Sequence, residues 1–209
     1  MEKLVDEDLL AEVKEQGGIR YRLWEPAFPI VILGRSSHPE EEVFREDCAR
    51  DGIPVIKRLG GGRSVLLSPG MLIISVALET IRFRGHLYYA KMINQIIEKT
   101  LTCCGVGNIT FRGISDLALG DQKILGCCLY LTRVSEKWIV FYQASVLFNP
   151  DLKQVSTYLK HPPGEPDYRR GRPHEEFLTT LRGQGHRLPI MQVASRLALS
   201  FDEELSRIP

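Results

Sequence analysis

The chain has 209 residues with 27 Lys and Arg against 26 Asp and Glu, a net charge of +1, and 44% hydrophobic residues. That is an ordinary globular balance, long enough for a sizeable core, and one domain over residues 1–209 is expected. A near-neutral chain offers no field for nucleic acid or an anionic membrane, and no apolar run approaches the length of a bilayer span, so neither partner is expected. Residues 1–8 are too acidic and polar for a secretion signal, which points to the cytoplasm. The five cysteines include two adjacent pairs, Cys103-Cys104 and Cys127-Cys128, and no Cys-x-x-Cys. An odd count in that layout suits neither a disulfide framework nor a zinc site.

A helix is expected over residues 4–16, with Leu9, Leu10 and Val13 on one side and Gly17-Gly18 ending it. Strands follow at 19–24 and 30–33. Pro39 opens a helix to about residue 50, with Glu40, Glu41 and Glu42 at its positive end. Short strands are expected at 55–56 and 65–67, and a longer one at 72–78. Tyr89, Ile93, Ile96, Ile97 and Leu101 recur at helical spacing, the clearest amphipathic pattern in the chain. Strands at 110–119, 123–131 and 138–148 come next. A helix with Leu152, Val155 and Leu159 inward, a proline- and arginine-rich loop over 162–172, a short helix over 174–181 and a last helix over 189–208 complete the chain. Helices and strands alternate without a βαβ rhythm, so the expected class is α+β: mixed, mostly antiparallel sheets flanked by helices.

One stretch carries chemistry on its face: Lys57-Arg58-Leu59-Gly60-Gly61-Gly62-Arg63-Ser64, running on to Gly70. Glycines let backbone N–H groups approach a ligand, and successive N–H groups form a nest for an anion. The basic residues around them add positive charge. The loop is therefore expected to hold the charged end of a small ligand.

Four segments in order resemble the lipoate–protein ligase and lipoyl/octanoyl transferase family. They are Trp24 to Arg35, closing in Gly34-Arg35; the glycine stretch, similar to an Arg-Arg-x-Ser-Gly-Gly-Gly signature; Ser115-Asp116-Leu117 with Gly120-Asp121-Gln122-Lys123-Ile124-Leu125-Gly126; and Gln143-Ala144-Ser145 leading to Asp151-Leu152. Arg63 stands where the signature has its third glycine, Met71 where the family has Asn, and Gln143-Ala144-Ser145 where it has His-Gly-Thr. The chain ends before the small C-terminal accessory domain that ligases of this family often carry, so a separate accessory protein is one possible partner.

The resemblance implies a biotinyl/lipoyl-ligase-like catalytic fold and a two-step reaction. Lipoate and ATP, with Mg2+, give lipoyl-adenylate, and the lipoyl group then passes to a lysine of a lipoyl carrier protein. Lys123 matches the family's ligand-binding lysine, and a fixed ammonium offsets the repulsion between a carboxylate and an α-phosphate. Asp116 would orient the incoming amine or hold Mg2+. Gly60, Gly61 and Gly62 would give backbone donors, with Arg58, Arg63, Gly70 and Ser145 completing the cofactor-binding set. Leu67, Ile73, Ser75 and Val146 are candidates for an apolar slot taking lipoate or octanoate. The same superfamily contains transferases that pass octanoyl groups through a cysteine thioester, and Cys127-Cys128 keep that alternative open. A lipoyl-binding subunit without catalysis is the third reading. The basic segment from Lys160 to Arg172 would steer an acidic carrier.

Overall fold

The computed structural model describes residues 5–207. A six-stranded antiparallel sheet runs β1-β5-β9-β8-β7-β6, and a smaller sheet runs β3-β2-β4. The strands of the large sheet are β1 (Ile19–Trp24), β5 (Met71–Thr80), β6 (Ile109–Arg112), β7 (Asp116–Leu119), β8 (Gln122–Val134) and β9 (Lys137–Leu147). Those of the small sheet are β2 (Ile30–Leu33), β3 (Val55–Lys57) and β4 (Val65–Leu67), with β3 parallel and β4 antiparallel to β2. The helices are α1 (Glu7–Gln16), α2 (Pro39–Glu42), α3 (Arg45–Arg50), α4 (His86–Cys103), α5 (Lys153–Tyr158), α6 (His174–Phe177) and α7 (Ile190–Leu205). The expected α+β class is thus the observed one. No described helix is long and apolar enough to cross a membrane.

Period-two alternation on β5 and β9 divides the large sheet into two faces. Leu72, Ile74, Val76 and Leu78 of β5 meet Val140, Tyr142, Ala144 and Val146 of β9 on the back. There α4 and α7 lay down Tyr89, Ile93, Ile97, Leu197 and Phe201, each at most 1% exposed. Burying one such side chain fully stabilises by about 1.5–3 kcal/mol, so this face anchors the fold. The front face is covered in two unequal parts. Helix α1 packs Leu9, Leu10 and Val13 over Ala77, Ile139 and Phe141. The small sheet packs Ile32 and Leu67 over Met71, Ile73 and Leu147. A cleft opens between the small sheet and the β7–β8 side of the large one.

Four expected elements change where tertiary contacts override local pattern. The single helix over 39–50 breaks after α2. Val43 is extended, buried and bridged to Leu159, and the Phe44 N–H donates to the Tyr158 carbonyl at 2.9 Å. The strand over 110–119 folds back at residues 113–115, where Gly113 takes a φ of 53°, to make the β6–β7 hairpin. That turn brings Asp116 to the cleft. Helix α6 stops at Phe177, because Leu178 pairs with Lys123 and the Thr179 N–H donates to the Lys123 carbonyl at 3.0 Å. The loop over 162–172 contains one 3-10 turn, Asp167–Arg169. The last residue of the final expected helix, 208, and the first of the helix expected over 4–16 lie outside the described residues.

Candidate active site

The cleft encloses about 1100 Å3. Its floor is the front face of β5, β8 and β9; one wall is residues 62–64 with β4, and the other is the 111–116 turn with the segment over 160–169, while Gly60 and Gly61 lie outside the lining.

Lys123 and Asp116 come together as expected. Lys123 Nζ lies 2.9 Å from Asp116 Oδ1, and both side chains are mostly buried. Backbone pairing of β7 with β8 and of Lys123 with the Leu178–Thr179 segment fixes the lysine from both sides. Gly126 makes the room: a Cβ there would sit 2.6 Å from Lys123 Cε and Nζ. The other carboxylate oxygen, Oδ2, accepts the Tyr168 hydroxyl at 2.8 Å. Burial, followed by the Asp116 charge, pushes the Tyr168 pKa well up, so the phenol stays a donor. Tyr168 was hidden in a loop read from sequence as a docking surface; no local pattern marks it, because its partner is 52 residues away. In the same loop Arg169 is buried and pairs with Glu165 at 3.3 Å, and Arg172 pairs with Asp121 at 3.1 Å, so much of the expected basic face is turned inward.

The glycine loop faces this pair. The Gly60 carbonyl accepts the Arg35 N–H at 2.9 Å, while among the described residues no acceptor takes the N–H groups of Gly60, Gly61 or Gly62. Gly62 has a φ of 84°. Gly34 lets the preceding turn press on the loop, since a Cβ there would fall 1.9 Å from the Gly62 carbonyl oxygen. Gly60 rests on Cys128 in the same way, at 2.7 Å from the sulfur. Free amides and tight backbone packing are what an anion cradle requires.

Arg58 plays a different part from the one expected. It is 8% exposed, and its Nη2 donates to the carbonyls of Gly61 at 2.7 Å and Arg63 at 2.9 Å, with Nη1 on the Ile32 carbonyl at 3.3 Å. The guanidinium braces the loop from beneath. Arg63 reaches Glu42 at 3.2 Å. Glu42, 2% exposed, also accepts from Ser37 Oγ at 2.9 Å and from the N–H and hydroxyl of Ser64, both at 2.7 Å. Burial works to raise the Glu42 pKa, but the bonds from Ser64, Ser37 and Arg63 together hold it below the ordinary carboxylate value. The sequence reading gave Glu42 only a place at a helix end.

Ser145 lines the cleft beside Gly126, its partner across β8 and β9. Gly70 does not belong to the cleft. It forms the β4–β5 turn with a φ of 86°, its carbonyl accepts the Phe148 and Asn149 N–H groups, and it borders a separate cavity of about 550 Å3. Leu67 and Ile73 do line the cleft. Ser75 is fully buried and donates to Asp6 at 2.7 Å, and Val146 faces the back core, so neither forms an acyl slot. Among the described residues no three His, Cys, Asp or Glu side chains gather as a metal site, and both Asp116 oxygens already take donors. The residues present therefore do not fit a preformed Mg2+ site. Burial pushes the Cys127 thiol up to about 11 and raises Cys128 as well. Both are poor thiolate nucleophiles near neutral pH.

A family model described as the lipoyl protein ligase A/B catalytic domain matches residues 3–202, and the chain belongs to that family. Its curated relatives include the putative lipoate-protein ligase A of Aeropyrum pernix, 33% identical over 122 residues that cover 58% of this chain and 45% of the relative. The probable lipoate-protein ligase A of Mycoplasma pneumoniae is 26% identical over 156 residues, 74% of this chain and 44% of that protein. The chain thus spans a little under half the length of these relatives. Among solved structures, a bi-partite lipoate protein ligase of Thermoplasma acidophilum superposes with a TM-score of 0.79 at 20% identity, over 95% of this chain and 76% of that one. A lipoate-protein ligase A bound with ATP gives 0.79 at 21% identity, over 96% and 78%. Both share the fold.

Proposed function

We propose that residues 1–209 form a single lipoate ligase-like catalytic unit that joins lipoate to a lysine of a lipoyl carrier protein through lipoyl-adenylate. The observation that carries this reading is the Lys123–Asp116–Tyr168 group in one cleft with Gly62, at whose end of the glycine loop the amide is unengaged. In the first step a lipoate carboxylate oxygen attacks the α-phosphorus of ATP and pyrophosphate leaves. Lys123 offsets the repulsion between the two anions, and the Gly62 amide holds a phosphate oxygen. In the second step the acceptor ε-amine attacks the acyl carbon, an amide forms and AMP leaves. Asp116 accepts a hydrogen bond from that amine on a lone pair that Lys123 and Tyr168 leave open, and Tyr168 keeps the carboxylate aimed. The wall of Leu67 and Ile73 suits the acyl chain.

The reaction is tested in two halves. Lipoate, ATP and Mg2+ are incubated with the protein, and pyrophosphate is measured. Synthetic lipoyl-adenylate and a lipoyl domain are then supplied, and the acceptor mass is read. A structural neighbour is a bi-partite ligase, so a second polypeptide is a reasonable partner for the whole reaction here, and the divided assay shows which half needs it. Absence of both pyrophosphate release and an acylated acceptor would sink the reading. The raised thiol pKa values speak against the thioester route.

A further inference from the structure

Arg63 replaces a glycine of the family signature, and its side chain spans two loops. Nη1 bonds Glu42 at 3.2 Å. Nη2 lies on Gly164, close enough that a Cβ there would come within 2.5 Å of it. Gly164 belongs to a segment that Glu165 ties to itself. Its carboxylate pairs with His161 at 3.0 Å and Arg169 at 3.3 Å, and accepts the Gly171 N–H at 2.6 Å. The Lys160 N–H, just before the segment, donates to the Glu42 carbonyl at 2.9 Å. Tyr168 is carried on the same segment and reaches Asp116 at 2.8 Å.

We propose that Arg63, anchored by Glu42, is a positioning residue that clasps the glycine loop to the 161–171 segment across the cleft and so holds Tyr168 on Asp116. Its bearing on turnover rests on the ligase reading; the clasp itself does not. An ion pair with a buried carboxylate at 3.2 Å gives the arginine its base, and its planar fork leaves a second nitrogen to lie flat on a glycine. Gly164 has the one side chain that admits it, and the backbone there is not in the left-handed region, so alanine is conformationally allowed.

The test is a double-mutant cycle read by hydrogen–deuterium exchange at the Arg169, Gly171 and Arg172 amides, all hydrogen-bonded in this segment. Arg63→Gly is expected to speed their exchange about fivefold or more. Gly164→Ala is expected to do the same in the parent protein and to add nothing in the Arg63→Gly background. Equal effects of Gly164→Ala in both backgrounds, or no change in Arg63→Gly, overturn the clasp. Should the glycine variant unfold, Arg63→Lys serves the same cycle, because it keeps a cation for Glu42 and lacks the second nitrogen. In transfer from lipoyl-adenylate, Arg63→Gly is expected to lower kcat about tenfold with the acceptor KM within about twofold. An unchanged kcat in Arg63→Gly overturns the positioning role. No turnover in the parent protein, with the exchange cycle intact, overturns the ligase reading and leaves the clasp standing.

Discussion

Lys123 and Arg58 are both cations at the cleft, yet they are used in opposite ways. Lys123 rises from a strand under Gly126, with one carboxylate oxygen for company and open cleft beyond. Arg58 lines the same cleft, but both its Nη atoms go to backbone carbonyls of its own surroundings, and its buried Nε alone has no partner among the described residues. A cation near a glycine loop is therefore a ligand group or a brace according to where its donors already go. Charge and proximity do not separate the two.

The comparison breaks most sharply through Lys123→Ala. It is expected to lower kcat/KM for pyrophosphate release from lipoate and ATP at least about 100-fold, because the ammonium acts where the two anions meet, while the circular dichroism melt barely moves. Retained turnover would remove Lys123 from the chemistry. Arg58→Ala is expected to show the reverse emphasis. Losing charged hydrogen bonds to buried carbonyls costs about 2–4 kcal/mol of stability in urea unfolding. Arg58→Lys is not expected to restore it, because one ammonium cannot span the carbonyls of Ile32, Gly61 and Arg63. Equal stability of all three proteins would show that the brace carries no weight.

Gly126→Ala sharpens the Lys123 side. Its methyl takes the volume that Lys123 Nζ occupies, so kcat/KM is expected to fall about tenfold through displacement of the ammonium, with a smaller change in stability. The smallest effect is expected from Cys127→Ser with Cys128→Ala: transfer within about twofold of the parent. The parent thiols should react slowly with iodoacetamide at pH 8. Cys127, held neutral by burial, contributes stability that is present below its ordinary 9.0 and is lost as pH rises through about 11. Fast alkylation at pH 8 accompanied by loss of transfer would revive the thioester route.

Local pattern carried much of this protein. The apolar spacing of α4 and α7 marks the faces that seal the back of the large sheet, and the continuous apolar run of β5 marks a strand buried on both faces. The glycine stretch is legible too, as a loop whose residue types suit an anion, whereas Asp116 and Lys123 are marked only by the family resemblance. What the pattern could not supply is the direction of a donor across the fold. Arg58 turns to carbonyls on two neighbouring segments, Tyr168 closes onto a carboxylate 52 residues away, Glu42 becomes the hub for Ser37, Arg63 and Ser64, and Gly70 ends in a turn remote from the cleft. The sequence by itself determined which segments bury apolar surface and which residue types can meet an anion, because both follow from periodicity and side-chain chemistry. Only the tertiary structure decided which cations brace and which face the ligand. That choice depends on which acceptors long-range packing brings within hydrogen-bond distance.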